Sequence, residues 1–318
     1  MLSRVADAIY WLNRYVERAE NVARFVEVNL NLLLDTTATV NTQQWEPVVI
    51  TTGDMKTFCD RYGDATAANV LHFLTFDSSY PNSILSCVQA ARENARGIRE
   101  TISSEMWEQV NEFYLMVKDA ASETLSPEQL YGFYPQVKMA SHLFAGVMDA
   151  TMSHNEGWHF GQVGRLIERA DKTARILDVK YFILLPSLKD VGTPLDDLQW
   201  IALLKSASAY EMYRKCHRRL TPRSITEFLI LNPEFPRSIQ FCLMQAEKSL
   251  HEISGIPLGR WTHPSERTLG RLRAELEYTT LDEIFDQGLH EFLDDLETRL
   301  NEIGQHIYDD FVALPLAS

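Results

Sequence analysis

The 318-residue chain is long enough for one large or two ordinary domains, and its 45% content of hydrophobic residues provides for a substantial core. Its net charge of −14 argues against sequence-independent binding of nucleic acid, which needs a basic surface. No apolar run of about 18 residues occurs, and residues 1–35 carry charges throughout, so we predict neither a membrane span nor a signal peptide and expect a cytoplasmic protein.

The N-terminal segment is predicted to form one long helix. From Val5 onward the apolar positions recur at alternating steps of four and three residues, which is typical of a narrow coiled-coil-like seam. A polar stripe runs beside this seam at helical spacing. It comprises Tyr10, Asn13, Glu17, Glu20 and Arg24. We expect these side chains at the edge of the core or inside it.

Turn and capping signals divide the next hundred residues. We interpret residues 36–53 as a loop, including VVITT at 48–52, and predict short helices at 54–62 and 65–75. Asn82 or Ser83 is expected to cap a helix after Pro81, Ser103 or Ser104 starts the next, and SPEQ at 126–129 opens another. Pro135 is predicted to bend or restart that helix.

A second long helix, beginning near Trp158, repeats the first. Residues 163–181 match residues 12–30 at a constant offset of 151. The matched pairs are Arg14/Arg165, Glu17/Glu168, Arg18/Arg169, Ala19/Ala170, Glu20/Asp171, Ala23/Ala174, Arg24/Arg175 and Val28/Val179. A shared offset without a gap indicates one helix used twice, with the two copies facing each other across a core.

The C-terminal part is also predicted to be helical. Pro186 and Pro194 bracket a loop that is the best candidate for a boundary between pseudo-halves 1–185 and 195–318 of a single 1–318 domain. Helices are predicted near 195–215, 222–230, 237–253, 265–278 and 281–312. The fold class is therefore all-α, a large multi-helix bundle of antiparallel long helices with an internal repeat. Glycine-rich nucleotide motifs are absent, and we predict no cofactor.

Cysteine usage and charge distribution add two expectations. Cys59, Cys87, Cys216 and Cys242 show no CxxC or zinc spacing, so we predict buried free thiols. Residues 281–318 contain ten acids and one base, Arg299, which makes the last helix an acidic rod. Such a rod is either a solvated face or a docking surface for a basic partner.

The repeated Arg and Glu residues are the candidate site. Within each copy, Arg14 lies three residues before Glu17 and Glu20 four before Arg24, spacings that allow weak ion pairs along the helix. If the copies face each other, burial makes any unpaired charge costly, so the cluster is either a closed network that fixes helix register or a pocket for a carboxylate or phosphate. The candidate binding residues are Arg14, Glu17, Arg18, Glu20, Arg24, Arg92, Arg96, Arg165, Glu168, Arg169, Asp171 and Arg175. Arg92 and Arg96 are expected to roof this pocket.

Two chemical alternatives stay open for this cluster. Glu17 or Glu168 could serve as a general base, which would make the protein an enzyme. A di-iron site would need two Glu-x-x-His units, of which the chain has one, at Glu156 and His159, and many arginines repel a dication, so we predict no metal.

Five segments together resemble the bacterial alpha-E family of all-helical domains with an ER motif, over essentially the full length. They are MLSRVADAIYWLNRYVERAENVAR at 1–24, ARENARGIRE at 91–100 with Glu105 and Trp107, EGWHFGQVGRLIERADKTARILD at 156–178, SASAYEMYR at 206–214 and FLILNPEFPRSIQFCL at 228–243.

The resemblance implies partners more than a reaction. Proteins of this family are typically encoded beside, or fused to, a circularly permuted ATP-grasp protein, often with a transglutaminase-like peptidase nearby. We therefore expect an accessory or substrate-binding component of a peptide or amide ligation pathway, with a possible homo-oligomer. An enzyme acting on an amide or aminoacyl substrate, and a scaffold that docks a ligase through the acidic C-terminal helix, are the alternatives.

Overall fold

Helices make up the regular secondary structure of the residues that the computed structural model describes, which are 1–35, 45–123, 125, 127–183 and 194–313. The helices are α1 (Ser3–Asp35), α2 (Glu46–Ile50), α3 (Met55–Tyr62), α4 (Ala67–Thr75), α5 (Ile84–Gly97), α6 (Ser104–Ser122), α7 (Pro127–Thr151), α8 (Glu156–Ile183), α9 (Pro194–Ser206), α10 (Tyr210–Cys216), α11 (Pro222–Leu231), α12 (Ile239–Ser254), α13 (Pro264–Tyr278), α14 (Leu281–Gln287) and α15 (Leu289–Phe311). The predicted all-α class is confirmed.

The helices form two four-helix bundles with the same order of elements. In the first, α1, α5, α6 and α7 pack in a ring, and in the second, α8, α12, α13 and α15 do the same. The short helices α4 and α11 pack at equivalent places, against α5 and α12 respectively. This repeat divides the chain between α7 and α8, at residues 152–155. The boundary predicted at 186–194 lies outside the described residues except for Pro194, where α9 begins.

Long neighbouring helices within a bundle run antiparallel. Leu30 near the end of α1 contacts Tyr131 at the start of α7, while Glu20 in the middle of α1 contacts Ser141 further along α7. On α15, Glu297 contacts Arg175 late in α8, whereas Phe311 meets Phe160 edge-to-face early in α8. The predicted seam of α1 is buried from Val5 to Leu30.

The two repeat helices, α1 and α8, pack against each other in parallel, and this contact joins the bundles. Ile9 lies beside Gly157, and Asn13 beside Gly161 further along both helices. The spacing is close because α8 presents glycines on this face. A Cβ atom at Gly164 would overlap the backbone oxygen of Tyr10, and one at Gly161 would lie 2.6 Å from Nδ2 of Asn13.

Several helix boundaries differ from the sequence prediction. Residues 46–50 form α2 rather than a loop, because Pro47 is compatible with a first helical turn and Val48 and Val49 are buried against the rest of the fold. Residues 36–44 lie outside the described ranges. The predicted helix at 281–312 breaks at Gly288, whose φ of 100° is favourable for glycine. The helix at 195–215 breaks around Ser208, and α7 continues through Pro135 without restarting.

The predicted caps and thiols are partly confirmed. Ser83 and Ser103 cap α5 and α6 by accepting hydrogen bonds from backbone N–H groups. All four cysteines are free, but Cys59 and Cys216 are exposed, contrary to the prediction, because they lie on the outer faces of α3 and α10. In the part of the chain that the structure describes, no helix is long and apolar enough to cross a membrane.

Candidate functional site

A cluster of charged side chains lies where α1 meets α8, and we call it the ER network. Its carboxylates are Glu17, Glu20, Glu168 and Asp171, and its cations are Arg14, Arg18, Arg24, Arg165, Arg169, Lys172, Arg175 and Arg237. The carboxylate of Glu168 is fully buried, and that of Glu17 nearly so. The sequence prediction that the stripe enters the core is therefore confirmed.

The two ER dipeptides, Glu17–Arg18 of α1 and Glu168–Arg169 of α8, bind each other through reciprocal ion pairs. Arg18 donates to Glu168 through Nε at 2.7 Å and Nη2 at 2.9 Å. Arg169 donates in the same way to Glu17, through Nε at 2.9 Å and Nη2 at 2.8 Å. Each Glu is thus held by a bidentate guanidinium from the other helix, a geometry that adds directional specificity to the charge attraction.

The ion pairs predicted within one helix are only partly present. Glu20 pairs with Arg24, and Asp171 with Arg175. Arg14 does not pair with Glu17 but crosses to Glu168, with Nε 2.9 Å from Oε2. Arg165 donates to Gln162 instead of Glu168. These differences arise because each buried Glu faces the opposite helix, where the guanidinium of the other ER dipeptide reaches both of its oxygens.

Arg237 is also a member of the network, although it is not among the candidate residues predicted from the sequence. Its Nη1 donates to Glu17 at 3.0 Å and to Asn21 at 3.1 Å, and its Nη2 donates to Glu20. A signal for it exists in the sequence, because FPRSI at 235–239 matches YPNSI at 80–84 and precedes the equivalent helix. In this second repeat Arg237 occupies the place of Asn82, which accepts a hydrogen bond from Arg18 at 2.7 Å.

The arginines hold the pKa values of the buried carboxyls down. Burial alone would raise the pKa of Glu168, but Arg18, Lys172 and Arg14 hold it well below its usual range. Burial is likewise outweighed at Glu17 by Arg169 and Arg237, so its pKa is lowered. Carboxylates that accept charge-assisted hydrogen bonds from arginines are weak bases, which disfavours general-base roles for Glu17 and Glu168.

Another carboxylate, Glu20, anchors α7 to the network. It accepts hydrogen bonds from Arg24 at 2.9 Å and from Ser141 at 2.7 Å, and His142 lies 3.1 Å away. Burial would raise the pKa of Glu20, but Arg237, His142 and Arg24 together hold it well below its ordinary value. Ser141 and His142 carry no sequence signal for this role.

Positive charge is in excess in the network, which holds eight cations and four carboxylates. Glu297 of α15 also contacts Arg175, at 3.0 Å, but burial raises the pKa of this carboxyl to about 7, so it is only partly ionised at neutral pH. The four carboxylates of the network therefore do not balance its eight cations, although among the described residues all the cations except Arg165 have a carboxylate within 4 Å.

Arg92 and Arg96 do not roof this cluster. Arg92 donates to Asn111 at 2.7 Å and to Glu93 at 2.9 Å, and Arg96 also pairs with Glu93. The guanidinium of Arg92 lies over the ring of Trp107, 5.6 Å from its centroid. The contacts of Arg92 are therefore with α6 and with Glu93 of its own helix, and Arg96 pairs along α5.

A cavity of about 400 Å³ opens beside the network, between α1 and α15. Arg14 lines it, together with Asp7 and Trp11 of the same helix. The remaining lining residues are Ala6, Tyr10, Phe160, Asn301, Gly304, Gln305, Ile307, Tyr308 and Val312. Its volume is within the range of small-molecule sites, and its mostly apolar wall carries a few polar groups, as such sites do.

Metal coordination has no support in the described ranges, where no group of three or more His, Cys, Asp or Glu side chains is arranged to hold an ion. His159, the histidine of the Glu-x-x-His unit, stands edge-on to Trp158, with the ring centroids 5.0 Å apart.

Comparison with known proteins identifies relatives over the whole chain. A family model described as a predicted alpha-helical domain with a conserved ER motif matches residues 1–312. The uncharacterized protein Mb2597 of Mycobacterium bovis is 24% identical over 336 aligned positions, which cover 99% of this chain and 37% of that relative. The uncharacterized protein Rv2567 of Mycobacterium tuberculosis matches with the same identity and coverage. The chain thus spans little more than a third of these relatives. No solved structure matches it significantly.

Proposed function

Since the chain belongs to the Alpha-E family, we propose that it is an accessory or substrate-binding component of an ATP-grasp-dependent peptide or amide ligation pathway in the cytoplasm. Its partners in this proposal are a circularly permuted ATP-grasp protein and a transglutaminase-like peptidase, as the family resemblance implies. The curated relatives extend well beyond the region matched by this chain, which leaves room in them for further domains.

The observation that carries the proposal is the position of Arg14. This residue binds Glu168 inside the ER network and also lines the cavity of about 400 Å³. Glu168 is shared with Arg18, and Lys172 lies between Glu168 and Asp171, so the one negative charge of Glu168 is divided between two arginines. The inner end of the cavity therefore favours a carboxylate or phosphate, and the apolar wall suits the body of an organic molecule such as a peptide.

A binding role fits this site better than acid–base catalysis. Glu17 and Glu168, the candidate general bases, are both held by bidentate arginines that lower their pKa values. A group held in this way accepts a proton poorly near neutral pH. The protein in this proposal presents or positions an anionic substrate for the ligase, and the ligase supplies the chemistry.

A scaffold role is the second candidate, favoured by the charge of the C-terminal helices. α14 and α15 bury an apolar face that includes Leu293 and Leu300, whereas acids such as Asp294 and Asp295 face outward. The exposed carboxylates form a surface that suits a basic docking region on a partner.

The proposal is tested by filling the cavity without replacing any residue of the ion pairs. A Cβ atom at Gly304 would lie 3.6 Å from Nη1 of Arg14 and from the hydroxyl of Tyr10, so Gly304→Leu places its side chain in the cavity. The matched control is Gly132→Leu in α7, where a Cβ atom meets no neighbour within 4 Å. Native mass spectrometry of each protein, alone and mixed with the ATP-grasp partner, measures what it retains.

We expect the wild type and Gly132→Leu to retain a small carboxylate- or phosphate-bearing molecule, and Gly304→Leu to lose at least about 90% of it, because a filled cavity has no room for the ligand body. Equal retention by Gly304→Leu would contradict the proposal. An apo mass in every sample with a stable complex, lost when Asp294 and Asp295 are changed to Asn, would favour the scaffold role.

A further inference from the structure

Arg165 is the cation of the ER network that stands apart from its carboxylates. Its Nη2 donates to Gln162, while its Nε is buried and has no hydrogen-bond partner among the described residues. No ion pair within 4 Å joins it to a carboxylate in the part of the chain that the structure describes. Burial, followed by repulsion from Arg169, lowers the pKa of Arg165 to about 10.

The internal repeat explains why Arg165 lacks a carboxylate. Its equivalent in the first half, Arg14, binds Glu168 of the opposite helix. By the same symmetry Arg165 would bind Glu17, but Arg237 already donates to Oε1 of Glu17 at 3.0 Å. The residue equivalent to Arg237 in the first half is the neutral Asn82, which leaves room for Arg14 at Glu168. The halves also differ at Asn21, whose equivalent Lys172 lies 3.6 Å from Glu168. Arg237, in the place of Asn82, is the residue that occupies Glu17 in the second half.

The neighbours of Arg165 on its own helix are also donors. Trp158, Gln162, Arg165 and Arg169 follow one another at steps of four, three and four residues, so they share one face of α8. The indole Nε1 of Trp158 is buried and, like the Nε of Arg165, has no hydrogen-bond partner within the part of the chain that the structure describes. Because Gln162 accepts from Arg165 through its oxygen, its amide nitrogen is the group left to donate outward.

Two unpartnered buried donors on one helix face call for a ligand that supplies acceptor atoms. An indole N–H and a guanidinium N–H cannot accept hydrogen bonds, so a cation would not satisfy them, and a neutral hydroxyl would accept a hydrogen bond without balancing the charge of Arg165. Oxyanions supply several acceptor oxygens and a compensating charge, and arginine binds them through paired N–H groups.

We propose that Arg165, with Gln162 and Trp158, forms a second anion site on α8, distinct from the cavity at Arg14, that takes the carboxylate or phosphate group of a small ligand. This site goes beyond the proposed function, because it lies on the opposite repeat and does not depend on the Arg14 cavity. Arg237 is its positioning residue, since it occupies Glu17 and keeps Arg165 available.

The test uses inorganic phosphate and acetate as probes and the full chain as the sample. Thermal unfolding is followed with and without each probe at constant ionic strength, with chloride as the reference anion. We expect a probe-dependent rise of Tm in the wild type, because a ligand that binds only the folded state stabilises it. A rise with phosphate alone would assign a phosphate ligand, and a rise with acetate alone a carboxylate ligand. Arg165→Gln should lose the rise, whereas Arg165→Lys should keep a part of it.

Arg165→Gln should also raise the Tm of the unliganded protein by roughly 2–4 °C, because it removes a desolvated charge that has no partner. A structural arginine would show the reverse, a lower Tm on substitution. The outcome that overturns the proposal is an undiminished response of Arg165→Gln to both probes, or a wild type that responds to neither.

Arg237→Asn is the most informative variant, because it gives the second repeat the asparagine that the first repeat has at Asn82. Arg165 then becomes free to bind Glu17, and the response to the probes should fall at least about tenfold even though Arg165 is intact. Arg237→Lys keeps the charge beside Glu17 and should retain more of the response. Gly304→Leu, which fills the Arg14 cavity, removes any response that arises there and should keep the response that Arg165→Gln abolishes, so failure of this site and failure of the proposed function are distinguishable.

Discussion

At the scale of single residues, the ER dipeptide has a physical explanation in its partner's geometry. Glu17 and Arg169, and Glu168 and Arg18, form two bidentate pairs that bury four charges between parallel helices. Exposed pairs along one helix contribute only about 0.3–0.5 kcal/mol each. Pairs that cross between helices and are removed from water have larger consequences when one partner is lost, because the other charge stays buried.

Glu168→Gln tests this argument. The amide keeps the shape of the side chain but removes the charge that holds Arg14, Arg18 and Lys172, so we expect a loss of about 3–5 kcal/mol in the free energy of unfolding. Urea denaturation measures it. The matched control is Glu93→Gln, an exposed carboxylate paired with Arg96, which should change stability by less than about 0.5 kcal/mol. A loss below about 1 kcal/mol at Glu168 would mean that water reaches the network.

At the scale of elements, the close parallel contact of α1 and α8 depends on glycine. Parallel helices at this distance leave no room for side chains where their backbones meet, and α8 provides Gly157, Gly161 and Gly164 at one face. The same approach lets each Arg of an ER dipeptide reach the opposite Glu in a bidentate geometry. The glycines and the ion pairs therefore belong to one interface.

Gly164→Ala tests the role of this contact. The new methyl group would overlap the backbone oxygen of Tyr10, which cannot move as a side-chain end can, so we expect a loss of about 1–3 kcal/mol. Gly146→Ala in α7 is the control, because nothing lies within 4 Å of its Cβ position and alanine favours the helix. Thermal or urea unfolding measures the stability of both variants. Equal free energies of unfolding would show that α1 and α8 can move apart to accept the methyl group with no loss of stability.

At the scale of the whole molecule, charge burial makes stability depend on pH in two opposite ways. Glu17, Glu20, Glu168 and Asp171 have folded-state pKa values below their ordinary values, so the stability they contribute is present above those ordinary values and is lost as pH falls through the folded ones. Glu297 behaves in reverse, because its folded pKa of about 7 exceeds its ordinary value of 4.5.

Glu297→Gln should therefore flatten the stability profile between pH 5 and pH 8. At Glu297 the folded state binds more protons than the unfolded state across this window, so the stability that this group contributes falls as pH rises, by about 1–3 kcal/mol. Burial is the main cause, Arg175 opposes it, and Asp171 and Asp178 add to it, whereas Lys172 opposes it weakly. Glu302→Gln, an exposed change on the same helix, should leave the slope intact. Urea titrations at several pH values measure the slopes, and the same slope in Glu297→Gln as in the wild type would refute this assignment.

Local sequence by itself determined the helical class, the burial of the α1 seam, the repeat at offset 151 and most of the candidate residues. Periodicity, caps and repeated motifs are local signals, and they report which residues share one helix face. These signals did not predict the helix at 46–50, which depends on the burial of its side chains, or the break at Gly288, which depends on a positive φ.

Tertiary structure alone decided which charges meet. Because α1 packs parallel to α8, Arg14 pairs with Glu168 and not with Glu17. The turn before α12 places Arg237 at Glu17, although the two residues are 220 positions apart in the chain. It also separated Arg92 and Arg96 from the network and opened the cavity between α1 and α15. Ion pairs between helices depend on orientation and distance across the core, and the spacing of residues along one chain does not contain that information.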